Sequence, residues 1–133
     1  VAEMCREAGL RFTVIGHDYG KSKWRKGFGV IARTSQLIRL FYRDRPEIAV
    51  SQGSSYQVLA AQFLRIPSIF MTDYEHIYWG IARRCARRIF LPEAIRDETV
   101  RKKGIPAGKV VHYPGYKEHV YLEDFSPDPV ANH

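Results

Sequence analysis

The sequence predicts an α/β domain built on a parallel sheet, and three observations carry that prediction. Short runs rich in β-branched and aromatic residues alternate with longer runs of helical period, as strands joined by crossover helices do. Several of the short runs, such as EIAV and SIFM, are apolar almost throughout, which suits strands of a parallel sheet covered on both faces. The chain has 133 residues and 45% hydrophobic content, the size of one ordinary domain with one sizeable core.

Taken in order, VAEMCREAGL reads as the last turns of a helix closing on Gly9. RFTVIG, residues 11–16, reads as a first strand, followed by the polar loop HDYGKSKWRKG. From Phe28 to Arg43, Ile31, Leu37, Ile38, Phe41 and Tyr42 recur at helical spacing, with Arg33 and Arg39 among the polar positions, and RDRP ends the helix. EIAVS is the second strand, Ser55 to Leu64 a helix, and PSIFMT a third strand opened by Pro67. IYWGIARRCA reads as helix, RRIFLP as the fourth strand, EAIRDETVRKKG as a helix ending on Gly104, and KVVHYPG as the fifth strand. The expectation is a Rossmann-like three-layer α/β/α domain over residues 1–125. FSPDPVANH carries two prolines in three residues, and residues 126–133 read as the opening of an interdomain linker. The start on VAEMC, without Met, points to a fragment.

Charge narrows the partners. Twenty-one Lys and Arg stand against fourteen Asp and Glu, a formal +7 with a pI near 9.6. That balance favours anionic partners: phosphorylated small molecules, nucleic acid or an anionic membrane face. Cys5 and Cys85 are far apart and match no paired metal or redox spacing, so they read as free thiols in a reducing compartment. No cofactor or zinc site is indicated. No apolar run approaches the roughly 18 residues of a membrane span, and the N-terminus lacks the order of a signal peptide. The expected location is cytoplasmic.

In parallel sheets ligands bind beyond the carboxyl ends of the strands, so the loops after strands are weighed first. GHDYGKS, Gly16 to Ser22, has three residues between its glycines where a phosphate loop needs four, and reads as a basic loop able to touch an anion. SQGSSYQ follows the second strand at once. Its Gly53 permits unusual backbone angles and close approach, and Ser54 or Ser55 can cap the next helix. The same geometry aims helix N-terminal amides at the strand-end crevice, where an anionic or hydroxyl-rich ligand is favoured.

TDYEH follows the third strand. Asp73, Glu75 and His76 have the chemistry for metal binding, acid–base work or sugar hydrogen bonds, and equally that of a helix N-cap at Asp73 with acidic first-turn residues. RRCARR, Arg83 to Arg88, reads either as a solvated surface or as a phosphate or anionic-lipid surface. It lacks interleaved stacking aromatics, which disfavours a specific RNA site. Beyond the fifth strand, Gly115, Tyr116, Lys117, Glu118 and His119 bring a phenol, a cation, a carboxylate and an imidazole to the sheet edge.

Read together, GKS, SQGSSY with LAAQFLRIPSI, DYEH and YPGYKEHVYLEDFSPDP resemble the prokaryotic family called domain of unknown function 354, a relative of GT-B glycosyltransferases and UDP-N-acetylglucosamine 2-epimerase. The likeness covers nearly the whole chain. GYKE, YL and F.PDP are its specific parts, whereas GSS and IPSI occur more widely. The resemblance implies an N-terminal, acceptor-side half of a GT-B-like protein, lacking its first strand with an Asn-Pro-Pro-His-type loop and its second Rossmann-like domain. It implies a glycosyltransferase or sugar-nucleotide epimerase-like parent in cell-envelope or polysaccharide metabolism, inactive as this piece alone. A nucleotide-sugar or phosphorylated glycan is the implied ligand, with a peripheral contact at the inner membrane face and no nucleic acid.

Gly53, Ser54, Asp73, Glu75, His76, Gly115, Tyr116, Lys117 and Glu118 fall on motif positions of that family. Glu75 and His76 are the expected acid–base residues. Gly53, Ser54, Ser55, Asp73, Gly115, Tyr116, Lys117 and Glu118 are the expected substrate contacts, and no metal ligands are expected. The alternative is a non-catalytic basic module that binds nucleic acid or an anionic membrane surface.

Overall fold

Four of the expected strands form one all-parallel sheet in the computed structural model, which describes residues 2–16 and 23–115. The elements run α1 (Ala2–Glu7), α2 (Lys23–Asp44), β1 (Ala49–Gln52), α3 (Ser55–Phe63), β2 (Ser68–Met71), α4 (Ala82–Cys85), β3 (Arg88–Pro92), α5 (Asp97–Lys102), a 3₁₀ turn (Ala107–Lys109) and β4 (Val110–Tyr113). The strand order is β1-β2-β3-β4, with Ala49 opposite Ser68, Ile69 opposite Arg88 and Ile89 opposite Val110. This is the Rossmann-like α/β domain that the alternation of periods predicts.

The core follows the two-residue period of the strands. Ala49 and Ser51 of β1, Ser68 and Phe70 of β2, and Ile89 and Leu91 of β3 are buried. Phe70, Ile89 and Leu91 pack with Val58 of α3, Ala82 of α4 and Val100 of α5 in one cluster. Burying a side chain of this size stabilises by about 1.5–3 kcal/mol. On the other face of the sheet Val50 is 52% exposed, and Ile69, Met71 and Phe90 are only half-buried. A second cluster joins Phe41, Leu37 and Ile38 of α2 to Ala49 and to Ala60 and Ala61 of α3. Two fully buried alanines on α3 let α2 approach closely, so α3 serves both clusters. Past its C-cap Leu64 the chain leaves the helix at Arg65, whose φ of 58° takes the left-handed position usual for glycine, two residues before Pro67.

Three expectations about elements change. Residues 11–16 form no strand among the described residues. Intrinsic β-propensity makes no strand without a hydrogen-bonded ladder, and this segment is instead tied to α2, the Gly16 amide donating to Gln36 Oε1 at 3.0 Å. On the β1 edge, Gln57 Nε2 donates to the Val50 carbonyl at 2.6 Å, where a neighbouring strand would donate. The helices expected over IYWGIARRCA and EAIRDETVRKKG shrink to Ala82–Cys85 and Asp97–Lys102. Trp79 and Ile95 lie within those segments yet are buried from irregular backbone outside the helices. In the other direction, α2 begins at Lys23 rather than Phe28.

Candidate functional site

At the end of β1 the chain turns on a buried hydroxyl. Ser51, 1% exposed, donates from Oγ to the Ser54 carbonyl at 2.8 Å and accepts the Ser54 amide at 3.1 Å. Gly53 lies between them with φ 69°, a left-handed conformation costly for any residue with a Cβ. A Cβ there would meet nothing within 4 Å, so backbone angle rather than crowding calls for glycine, and the space beside it is open. Ser54 occupies the N-cap of α3, but its side chain makes no cap hydrogen bond. The serine cap expected from the sequence is therefore replaced by the Ser51 latch, which comes from the strand itself.

Two cavities flank this turn and share Gly53 and Tyr56. The first, about 540 Å³, is bounded by Thr13, Ile15, Arg33, Gln52, Ser54 and Gln57. Its cation comes from α2: the Arg33 guanidinium carbon stands 5.6 Å from the centroid of the Tyr56 ring, within cation–π range. A Cβ on Gly16 would lie 2.5 Å from Arg33 Nε, so that glycine leaves room for the arginine. The second cavity, about 330 Å³, is lined mainly by apolar and aromatic groups, Val30, Tyr56, Ile77, Tyr78 and Ile81, with Ser55 at its polar side.

The loop after β2 repeats the latch. Thr72, 4% exposed, donates from Oγ1 to the Tyr74 carbonyl at 3.3 Å and accepts the Tyr74 amide at 3.2 Å. No helix begins at Asp73, so the N-cap reading of that residue fails; residues 73–81 run through turns to α4. Glu75 Oε1 and His76 Nε2 are 3.4 Å apart, with 43% and 64% of their side chains exposed, and the Tyr74 ring meets the His76 ring edge-on at 5.3 Å. The Glu75 carbonyl accepts from Trp79 Nε1 at 3.0 Å, and Trp79 packs edge-on against Phe70 at 6.0 Å. That contact moors the loop to the core and leaves the Glu75–His76 pair facing solvent.

The fold thus gathers Gly53, Ser54 and Ser55 at one crevice, whereas Asp73, Glu75 and His76 line neither of its cavities. Gly115 closes the described chain two residues after β4. Tyr116, Lys117 and Glu118 lie outside the described residues, as does most of the GHDYGKS loop. Arg33, Tyr56 and Tyr78 complete the crevice; Tyr56 falls within SQGSSY, whereas Arg33 and Tyr78 fall on no candidate site motif. Among the described residues no group of three or more His, Cys, Asp or Glu side chains is placed to hold a metal ion. No helix among them is long and apolar enough to cross a membrane.

The basic run has a structural occupation. Arg83 donates to the Lys103 carbonyl at 3.4 Å, Arg84 to Gly80 at 3.3 Å and Arg88 to Gly108 at 3.0 Å. Lys109 Nζ donates to the carbonyls of Arg83 and Arg84 at 3.1 and 2.9 Å. These carbonyls lie in and beside short helices and turns, where backbone acceptors lack intrahelical partners. Because α4 stops at Cys85, Arg87 and Arg88 lie beyond it, so Arg83/Arg87 and Arg84/Arg88 are not neighbours one helical turn apart.

The fold and crevice define a Rossmann-like α/β domain with a polar, partly aromatic opening at the carboxyl end of its edge strand β1. Compared with protein-family models, curated proteins and solved structures, the chain matches none of them.

Proposed function

We propose that the chain is the acceptor-side part, inactive alone, of a GT-B-like protein of the domain of unknown function 354 type, and that this protein binds a nucleotide-sugar or phosphorylated glycan in an interdomain cleft, in cell-envelope or surface-polysaccharide metabolism. One observation carries the reading: a cavity at the carboxyl end of a parallel strand combines a guanidinium, two side-chain amides and an open glycine turn. Ligands of such sheets bind at strand ends, and a guanidinium presents paired donors to phosphate oxygens. Gln52, Gln57 and Ser54 supply the hydrogen bonds that sugar hydroxyls require. The Glu75–His76 pair on the loop after β2, accessible and 3.4 Å apart, supplies the acid and base of a later chemical step.

Binding of UDP-N-acetylglucosamine to the full-length protein, followed by NMR chemical shifts up to millimolar ligand, tests this. Saturable binding that weakens at least tenfold in Arg33→Ala and is unchanged in Glu75→Ala/His76→Ala supports the crevice as binding site and leaves the pair for chemistry. Binding that is matched by heparin and falls steeply with salt for both means the rival, a basic module for polyanions.

A further inference from the structure

The four strands are parallel, so their amino ends share one edge of the sheet, opposite the crevice. Cations gather there. Arg45 and Arg65 follow the carboxyl ends of α2 and α3, Arg87 and Arg88 open β3, and Lys109 precedes β4. Backbone contacts join these positions into one rim: the Ala49 amide donates to the Pro67 carbonyl at 3.0 Å, the Arg87 amide to the Ser68 carbonyl at 2.9 Å, and Arg88 Nη1 to the Gly108 carbonyl at 3.0 Å. Among the described residues none of these five cations meets a carboxylate within ion-pair distance. The carbonyls that accept from Arg88 and Lys109 are neutral, so those two charges stand uncancelled. Of the carboxylates on the same segments, Asp44 is paired with Arg43 at 2.8 Å, which leaves Glu47. Asp73, Glu75, Glu93 and Asp97 instead follow the carboxyl ends of β2 and β3, so the two poles of the sheet differ in sign.

Helix dipoles favour cations at these helix ends. They do not account for the apolar groups that stand among the cations. Phe63, at the end of α3, is 73% exposed, Tyr42, in the last turn of α2, 63%, and Ile48, just before β1, 49%. Tyr42, Arg45, Pro46, Leu64 and Ile66 line one apolar cavity of about 200 Å³, which sets the ends of α2 and α3 side by side. The Arg45 guanidinium carbon lies 4.9 Å from the centroid of the Tyr42 ring.

We propose that this edge is a docking face for an anionic bilayer, with Phe63, Tyr42 and Ile48 entering the headgroup layer and Arg45, Arg65, Arg87 and Arg88 meeting lipid phosphates. The mixture selects the partner. A soluble polyanion rewards the cations but gains nothing from exposed apolar tips, whereas a bilayer interface takes up those tips and attracts each cation near it. A tyrosine ring suits that depth, because its body is apolar and its hydroxyl stays wet. Arginine lays its apolar stem along the surface and keeps its charge among the headgroups. Docking is independent of the ligand held in the crevice, and it keeps the crevice, at the far end of β1, clear of the lipid.

Co-sedimentation of the full-length protein with vesicles, without any sugar nucleotide, tests the face. Vesicles with about one-third phosphatidylglycerol should bind the protein at least tenfold better than phosphatidylcholine alone. Arg65→Glu/Arg87→Glu should lower that partition at least tenfold, because each cation near such a surface counts for roughly fivefold. Phe63→Ser should lower it about fivefold and leave binding to double-stranded DNA unchanged, while Phe63→Trp, which keeps an interfacial aromatic, should retain it. All these positions are exposed, and circular dichroism would check that each variant is folded. No preference for phosphatidylglycerol, or a preference that neither the charge nor the Phe63→Ser substitution reduces, overturns the face. Partition that DNA competes away and that Phe63→Ser leaves intact makes the edge a polyanion surface and removes the bilayer. Loss of sugar-nucleotide binding in Arg33→Ala with vesicle partition retained would separate this face from the crevice, as expected for two independent sites.

Discussion

The loops after β1 and β2 use the same latch and reach different ends. In each, a hydroxyl buried at the strand terminus both donates to and accepts from the backbone of a residue two or three positions on: Ser51 with Ser54, Thr72 with Tyr74. After β1 the next residue starts a nine-residue helix, and the turn becomes the floor between two cavities. After β2 a run of turns separates the latch from a four-residue helix, and the charged pair of the loop faces solvent. The element beyond the latch, not the latch itself, decides whether a strand end becomes a crevice or a display. A helix begun at once sets a wall beside the turn, while an extended loop carries its side chains outward.

Removing each hydroxyl in turn would separate the two loops most strongly. Ser51→Ala should destabilise by about 2 kcal/mol, because it strips two short bonds from a nearly inaccessible site and leaves a carbonyl and an amide unmatched. Thr72→Val also strips two bonds, but longer ones, at 3.3 and 3.2 Å, and should cost about 1 kcal/mol. Urea denaturation midpoints at unchanged slope would measure both, and equal losses would mean the two latches are equivalent. Gly53→Ala probes the turn alone: its left-handed φ implies a cost of about 1 kcal/mol with no steric addition. A null effect would show that the turn relaxes. The smallest effect belongs to a hydroxyl that latches nothing. Ser68 is 2% exposed, and its Oγ has no hydrogen-bond partner among the described residues. Ser68→Ala should therefore be neutral or stabilise by up to about 1 kcal/mol, and a clear loss on the same urea curves would reveal a bond made by Ser68.

Most of the fold was legible because two periods, two residues for strands and 3.6 for helices, are written in the order of apolar residues. Legibility failed where apolar side chains are buried from irregular backbone. Trp79 reaches the core from irregular backbone anchored by its indole bond to Glu75, so its helical spacing from Ala82 and Ala86 misled. It failed again at residues 11–16, whose composition is that of a strand but which have no ladder among the described residues. For the site, the turn at Gly53 stood out because its chemistry is contiguous. Arg33 and Tyr78 did not, because each is distant from the turn along the chain and arrives only when α2 and the post-β2 loop pack beside it. The basic run misled in a different way: charge in a sequence carries no mark of whether it meets solvent, ligand or a backbone carbonyl. Here Lys109 meets two carbonyls from across the fold.

The sequential order of the sheet has a consequence for how the molecule comes to be. Each strand pairs with the one just before it in the chain, and the separations are short and similar, as for Ala49 with Ser68, Ile69 with Arg88 and Ile89 with Val110. Because closure entropy grows with loop length, three similar short closures replace the one long closure that an interleaved strand order would demand. Assembly can then advance like a zipper as the polypeptide leaves the ribosome, each new strand finding its template already in place.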